Sequence, residues 1–515
     1  MKKKDKNKIA YQLICNFISI CGLLTLTIIF LLIFTHCTWI NSNEIAQSYP
    51  NSVGIWILTL IFIIGIILLR KNLLLKVNPY YVFIIGTILW ILIGFHFLFK
   101  APPEVNPNSY DQRLCFNIAE QMNLGNYNGL FTAGQYLSYY PFQLGFINFE
   151  RLLMTYSTNI YFFYMIYLIC VIAINYIQWQ CVHLFIGLKS NYIIENCTLI
   201  LSFLFLPLLY FILFTYGNIP GFLAMFIALY FGLRYLKDNI TYKWSWIGFI
   251  IFTLFSYLLK NNYLISTIAF MIICILNALK TKKWHYILIV ISLVIGIGFL
   301  NNVIFKTYSN ITKDKVSSGI PKTAWIAMGM QGSLKKDENA GWYNAYTTTI
   351  YDCTGQNTSK TNTIALNYIK RRLTFFEKNP LYAYRFEKKK LLSTWADPMF
   401  ESIFSGPNQR EYTVVSNDPT FKNCYCHLYY YVTLMMHVLI LCIVFETLIW
   451  TFRNVGKISN NYQLFILLFL IGGFIFQLIW ETKSQYVFQY IYCLIPLAAL
   501  EFDNLKIRKN NKKEC

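Results

Sequence analysis

Long apolar runs, separated by short polar connections, set the pattern of this chain. Twelve of them are long enough to suggest membrane spans: about 12–38, 53–69, 80–99, 160–185, 194–216, 219–236, 244–259, 262–279, 284–304, 427–451, 462–480 and 485–501. Two much longer polar stretches interrupt the series, at 100–159 and 305–426. The predicted fold class is therefore all-α polytopic membrane protein, with about twelve transmembrane helices and two long extracytoplasmic loops. Five regions follow: three spans in 1–99, a first outer loop in 100–159, six spans in 160–304, a second outer loop in 305–426, and three spans with a basic tail in 427–515. The first run follows "MKKKDKNK"; it is too long for a signal-peptide core and has no small-residue cleavage site, so an uncleaved anchor is expected.

Composition agrees with the pattern. The 515 residues are 56% hydrophobic and only 13% charged, against about a quarter charged in soluble domains. The net charge of +21 raises the question of nucleic acid. Its placement excludes that partner, because Lys and Arg cluster in short segments between apolar runs, as topology signals do. With the N-terminus inside, alternate connections carry Lys2 to Lys8, Arg70 to Lys76, Lys189, Arg234 to Lys243, Lys280 to Lys283, Arg453 and Lys457, and the tail "KIRKNNKK". The opposite short connections carry only Lys260 and Lys483. Both termini are thus expected in the cytoplasm of a multi-pass cell-membrane protein, with both long loops outside.

The first long loop is unusually polar for a segment that follows a span. "YDQRLCFNIAEQM" spaces Leu114, Phe116 or Ile118, and Met122 as a short surface helix does, ending near Gly125. Asp111 stands at its start, where a helix N-terminus favours an ionised carboxylate. It serves either as a simple cap or as a reactive acid. In the second loop, "TNTIALNYIKRRLTFFEKNPLYAYRFEKKKLLSTWADP" has helical spacing, divided by Pro380 into two amphipathic helices with a basic face. They either pack on the bundle or meet lipid phosphate at the membrane surface. Cys353 can pair with Cys424 or Cys426 or stay free; "CYCH" has no partner pair at zinc spacing. No Walker A sequence and no dinucleotide fingerprint appears, which excludes an ATP-driven pump and a Rossmann-type nucleotide-sugar enzyme.

One ordered set of weak motifs carries a resemblance. Asp111 early in a polar outer loop, Ala119 to Gly125, and Tyr140-Pro-x-Gln143 are followed by "KNNYLI" at Lys260, by "KKKLLSTWADPMFES" with Trp395 and Asp397, and by "IWETKSQYVFQYI" with Glu481 and Tyr486. The set resembles the GT-C membrane glycosyltransferases, above all the family 39-like proteins of low-GC Gram-positive bacteria. It covers most of the chain in layout and about forty residues in motif. The resemblance implies transfer of a sugar from a polyprenyl-phosphate carrier to a cell-envelope glycan or lipid-linked acceptor at the outer face. It implies Asp111 as catalytic base. Lys260, Arg371, Arg372, Arg385 and Lys483 are the candidates for the donor phosphate, because that leaving group needs cations rather than a proton. Each could equally snorkel to lipid headgroups. Many such enzymes carry a second acidic residue in a later outer loop or an adjacent acidic pair near the first; no such pair adjoins Asp111, so no cofactor is expected and a divalent metal is not supported. Partners would be the lipid donor, the acceptor and membrane lipids. A lipid-linked oligosaccharide flippase or transporter, or a glycan polymerase or ligase, are the other readings. A transporter should show internal repeats and broken spans at matching places, which the chain lacks.

Overall fold

The computed structural model describes residues 3–40, 44–70, 74–101, 110–186, 191–237, 244–313, 316–406 and 419–504. The first helix, α1 (Lys3–Thr35), leads into a two-stranded hairpin, β1 (His36–Ile40) and β2 (Ala46–Pro50). Then come α2 (Val53–Leu69), α3 (Pro79–Lys100), α4 (Tyr110–Asn123), α5 (Tyr136–Tyr139) and α6 (Leu144–Met154). The middle holds α7 (Ile160–Ile186), α8 (Tyr192–Leu204), α9 (Leu206–Tyr210), α10 (Asn218–Lys237), α11 (Ser245–Leu259), α12 (Leu264–Thr281) and α13 (His285–Thr312). The second long polar stretch contains α14 (Lys322–Met328), α15 (Tyr346–Cys353), α16 (Thr358–Lys378), α17 (Pro380–Trp395) and α18 (Ser402–Ser405). The chain closes with α19 (Pro419–Asn454), α20 (Asn461–Ile479) and α21 (Phe488–Asn504).

Each of the twelve apolar runs is helical over most of its length, and the described chain is nearly all-α. Among the described residues, eight helices are long and apolar enough to cross a membrane, and the bent pair α8–α9 raises that to nine. That is fewer than the expected twelve. The reason is length: α2, α11 and α21 have 17, 15 and 17 residues, below the roughly twenty that a bilayer core needs. The bend of 49° within the 194–216 run has a local cause. Pro207 sits in the first turn of α9 and supplies no N–H, so the ladder of α8 stops at Leu204. At the end of the first run the sequence misleads. Helix α1 stops at Thr35, and residues 36–38 belong to a strand paired Cys37 with Tyr49 and Thr38 with Ser48. The strand is held by α17, since the Thr38 N–H donates to Ala396 O at 2.8 Å and Thr38 Oγ1 to Leu392 O at 3.0 Å. The ninth run extends further than expected, to Thr312.

Two opposite ends of the bundle can be told apart by their contacts. At one end Arg70 pairs with Asp503 at 3.2 Å, Tyr11 bonds Ser459 O, and Asn277 bonds Asn461. At the other, the hairpin, the described parts of both long polar stretches, and the turns at 216–218, 260 and 480–487 meet. The most enclosed helix is α21, whose Tyr490, Tyr492 and Leu494 are buried among α8, α19 and α20. The surface of α13, by contrast, carries exposed Leu288, Val294, Ile295 and Phe299, the composition of a lipid-facing wall.

Candidate site at the loop end of the bundle

The site is built from turns that join or follow the helices. Helix α11 ends at Lys260, whose backbone is extended (φ −157°, ψ 121°) and so turns away from the helix axis. Two glycines let neighbouring backbones close on this turn. A Cβ on Gly145 would stand 2.3 Å from Leu258 O, and one on Gly217 2.1 Å from Leu259 O, distances no side chain tolerates. Tyr216 is thereby fixed beside Lys260, with Tyr167 donating to its carbonyl at 2.8 Å and Gln143 donating to its hydroxyl. The Lys260 ammonium bonds Asn218 Oδ1 and lies 4.8 Å from the Tyr216 ring centre and 5.3 Å from that of Tyr486. Two aromatic faces thus stabilise the cation. Burial outweighs them and draws its pKa down to about 7, against the pull of Asp111, Glu481 and Glu401.

Helix α4 brings Asp111 to the same place. Its inner face is pinned by Thr215 Oγ1 donating to Gln112 Oε1 at 3.2 Å and by Phe116 packing edge-on to Phe163. Asp111, in the first turn, lies beside Tyr136, whose hydroxyl accepts from Cys115 Sγ at 3.7 Å. Asp111 is solvent-exposed at its edge, yet protein crowds closely around its carboxylate. The helix N-terminus alone would keep this acid in its usual range. Desolvation instead raises its pKa, only partly countered by Lys483, Tyr136 and Lys260.

The third contribution comes from the turn after α20. Lys390, buried in α17, donates to three carbonyls: Gly329 at 2.8 Å, Trp480 at 2.9 Å and Leu478 at 3.0 Å. These bonds cap the C-terminal end of α20, whose last carbonyls lack intrahelical partners. The Thr482 N–H donates to Gly341 O, and Thr482 Oγ1 meets Thr394 Oγ1. So held, the turn directs Lys483 toward Glu44 of the hairpin, with which it pairs, and to within 3.8 Å of Glu401. Burial would lower the Lys483 pKa, but the Glu401 and Glu44 carboxylates more than reverse that, and it stays charged. Glu481 is buried, with Oε1 unpartnered, and burial raises it to about 7. Tyr486 packs between these acids and Lys260.

The other expected residues have different surroundings. Trp395 is 1% exposed and packs on Phe474 and Tyr490, which leaves no face for a sugar. Asp397 organises a turn: it accepts from the N–H groups of Met399 and Glu401 and from Ser484 Oγ. Those bonds hold Phe400 and Glu401 in the left-handed region, at φ 50° and 60°. Tyr140 is buried against Tyr136 and Trp325. Arg372 is spent inside the α16–α17 pair; its Nε donates to Met330 O at 2.9 Å and its guanidinium lies over Phe376, Phe386, Phe375 and Tyr382. Arg371 and Arg385 are exposed on the same pair. Cys353 is exposed and free, while the structure of Cys424 and Cys426 lies outside the described side chains.

Sequence reasoning missed Glu44, Glu401, Tyr136, Tyr216, Asn218 and Lys390. Glu44 carried a usable signal, as a carboxylate in the short polar connection after the first span. Lys390 carried none, since it is indistinguishable in sequence from exposed Lys388. Among the described residues, no three His, Cys, Asp or Glu side chains are grouped as a metal ion requires. This end of the bundle gathers the exposed Asp111 carboxylate within electrostatic reach of the Lys260 and Lys483 ammonium groups, with buried Glu481 beside them. No protein-family model matches this chain, and no curated protein or solved structure shows detectable similarity to it.

Proposed function

We propose that the chain is an integral membrane glycosyltransferase of the GT-C kind. It moves one sugar from a polyprenyl-phosphate carrier to a hydroxyl of a cell-envelope glycan or lipid-linked acceptor. All twelve apolar helices then belong to the membrane domain, both termini are cytoplasmic, and the site lies at the outer face. The observation that supports this most is that Asp111, Lys260 and Lys483, far apart in sequence, come within electrostatic reach of one another at one end of the bundle. Such a place serves a substrate whose tail stays in lipid and whose partner arrives from water.

In this reading Asp111 takes the proton of the acceptor hydroxyl as its oxygen attacks the anomeric carbon. The bond from that carbon to the phosphate oxygen breaks, and polyprenyl phosphate leaves with the electron pair. Lys260 and Lys483 meet the charge that collects on the departing phosphate. Attack opposite the leaving group inverts the anomeric centre. A phosphate needs little protonation to leave, so one base and two cations suffice. No metal or cofactor enters the scheme.

The test is direct. The purified protein in lipid vesicles receives a polyprenyl-phosphate sugar and a lipid-linked glycan. Release of polyprenyl phosphate with an inverted glycosidic product supports the proposal. Movement of the lipid-linked glycan across the bilayer with the donor intact would make the chain a transporter instead.

A further inference from the structure

The α16–α17 pair holds charge and apolar surface that the site does not use. Its inner side is complete: Arg372 stacks within an aromatic cluster, Tyr382 lies against Phe375, and Phe386 is fully buried. Its outer side is different. On α17, Leu381, Tyr384, Arg385 and Lys388 follow the spacing i, i+3, i+4, i+7, so they share one face. Leu381 is 61% and Tyr384 64% exposed, and both cations are exposed beside them. Exposed Leu373 and Arg371 of α16 repeat the combination.

The packing of α17 brings it to the end of a span. Its C-terminal end meets β1, through Ala396 and Leu392 at Thr38. One turn earlier, Lys388 comes within electrostatic reach of His36, the first residue after α1. Helix α17 also packs on α1 itself. The C-terminal half of α17 therefore lies beside the Thr35 end of α1 and the hairpin that follows it.

We propose that the α16–α17 pair is a membrane-surface arm whose outer face seats on the anionic phospholipid headgroups of the surrounding bilayer. Leu381 and Tyr384 enter the headgroup and acyl boundary, while Arg385, Lys388 and Arg371 meet phosphate. The charge complementarity selects anionic lipid, and the interleaved apolar side chains select an interface over a dissolved polyanion. Arg371 and Arg385 then serve bulk lipid rather than the donor phosphate. This inference stands whether or not the chain transfers a sugar.

The test places the photoreactive residue p-benzoylphenylalanine at Leu381, and separately at Tyr384, in the full-length protein. The protein is reconstituted in vesicles of phosphatidylcholine alone or mixed with phosphatidylglycerol. Illumination should crosslink both positions to lipid, with far more adduct in the mixed vesicles. Combining Arg385→Glu with Lys388→Glu should cut the adduct by about thirtyfold, at about 1 kcal/mol for each of the two basic residues near an anionic surface. No lipid adduct at either position would overturn the proposal. So would adducts to protein instead, or a lipid yield indifferent to phosphatidylglycerol and to the charge reversal.

Discussion

Lys260 offers a prediction whose sign and size both follow from its surroundings. Its ammonium is enclosed by Tyr216 and Tyr486 and bonded to Asn218, and burial sets its pKa at about 7. A group with that pKa is charged below neutrality and neutral above it. Between about pH 6 and about pH 8 the charged fraction falls from roughly nine-tenths to one-tenth. If only the charged form holds the donor phosphate, the KM for the lipid donor rises by about ninefold across that interval. Lys260→Arg keeps its charge throughout, because a guanidinium does not titrate there. The variant should therefore show a donor KM that no longer depends on pH, whatever its absolute value. Asp111 works in the opposite direction. Its raised carboxyl must lose its proton to act, so kcat climbs as pH rises through the Asp111 pKa. Together they give a profile with an acid limb in kcat and an alkaline limb in donor KM. Steady-state kinetics in vesicles at a series of pH values separates the limbs. A donor KM that is flat from about pH 6 to about pH 8 in the unmodified protein would refute the role given to Lys260.

Three further outcomes are expected. Glu44→Gln removes the carboxylate paired with Lys483 and should lower the donor KM by about threefold, the scale of a partly exposed ion pair; a raised KM would mean that Glu44 positions Lys483 rather than competing for it. Lys390→Met leaves the carbonyls of Gly329, Leu478 and Trp480 without their donor and should cost about 3 kcal/mol, seen as a lower midpoint in thermal unfolding; an unchanged midpoint counts against the cap. A cysteine in place of exposed Lys335, in a protein whose Cys353, Cys424 and Cys426 are changed to serine, should react with a membrane-impermeant reagent in intact cells; reaction only after permeabilisation would invert the proposed orientation.

The helices were legible because apolar runs and their breaks are local properties. Pro380 divides α16 from α17 as its missing N–H requires, and Gly125, at φ +77°, follows α4 as a helix stop should. What sequence could not show is which residues meet. Asp111, Lys260, Glu481, Lys483 and Tyr486 each stand at a helix start or just beyond a helix end, so placing the helices nearly placed them. Arg371, Arg372 and Arg385 have the same composition cue but different fates, because helical phase turns Arg372 inward and its neighbours outward. Glu44 reaches Lys483 only through a hairpin whose strands were read as the end of a span and a loop. Lys390 is buried because it faces the open end of α20, a tertiary fact with no sequence correlate.

The central claim is that Asp111 takes a proton from the acceptor, and Asp111→Asn tests it most directly. Asparagine fits the helix start nearly as well, at a cost of a few tenths of a kcal/mol, so the protein should fold and insert at the normal level. It cannot act as a base. Sugar transfer from polyprenyl phosphate, measured in vesicles at matched protein level, should fall by about 10²-fold or more, with donor binding little changed. Turnover near that of the unmodified protein would contradict the account and leave Asp111 as no more than the cap of α4.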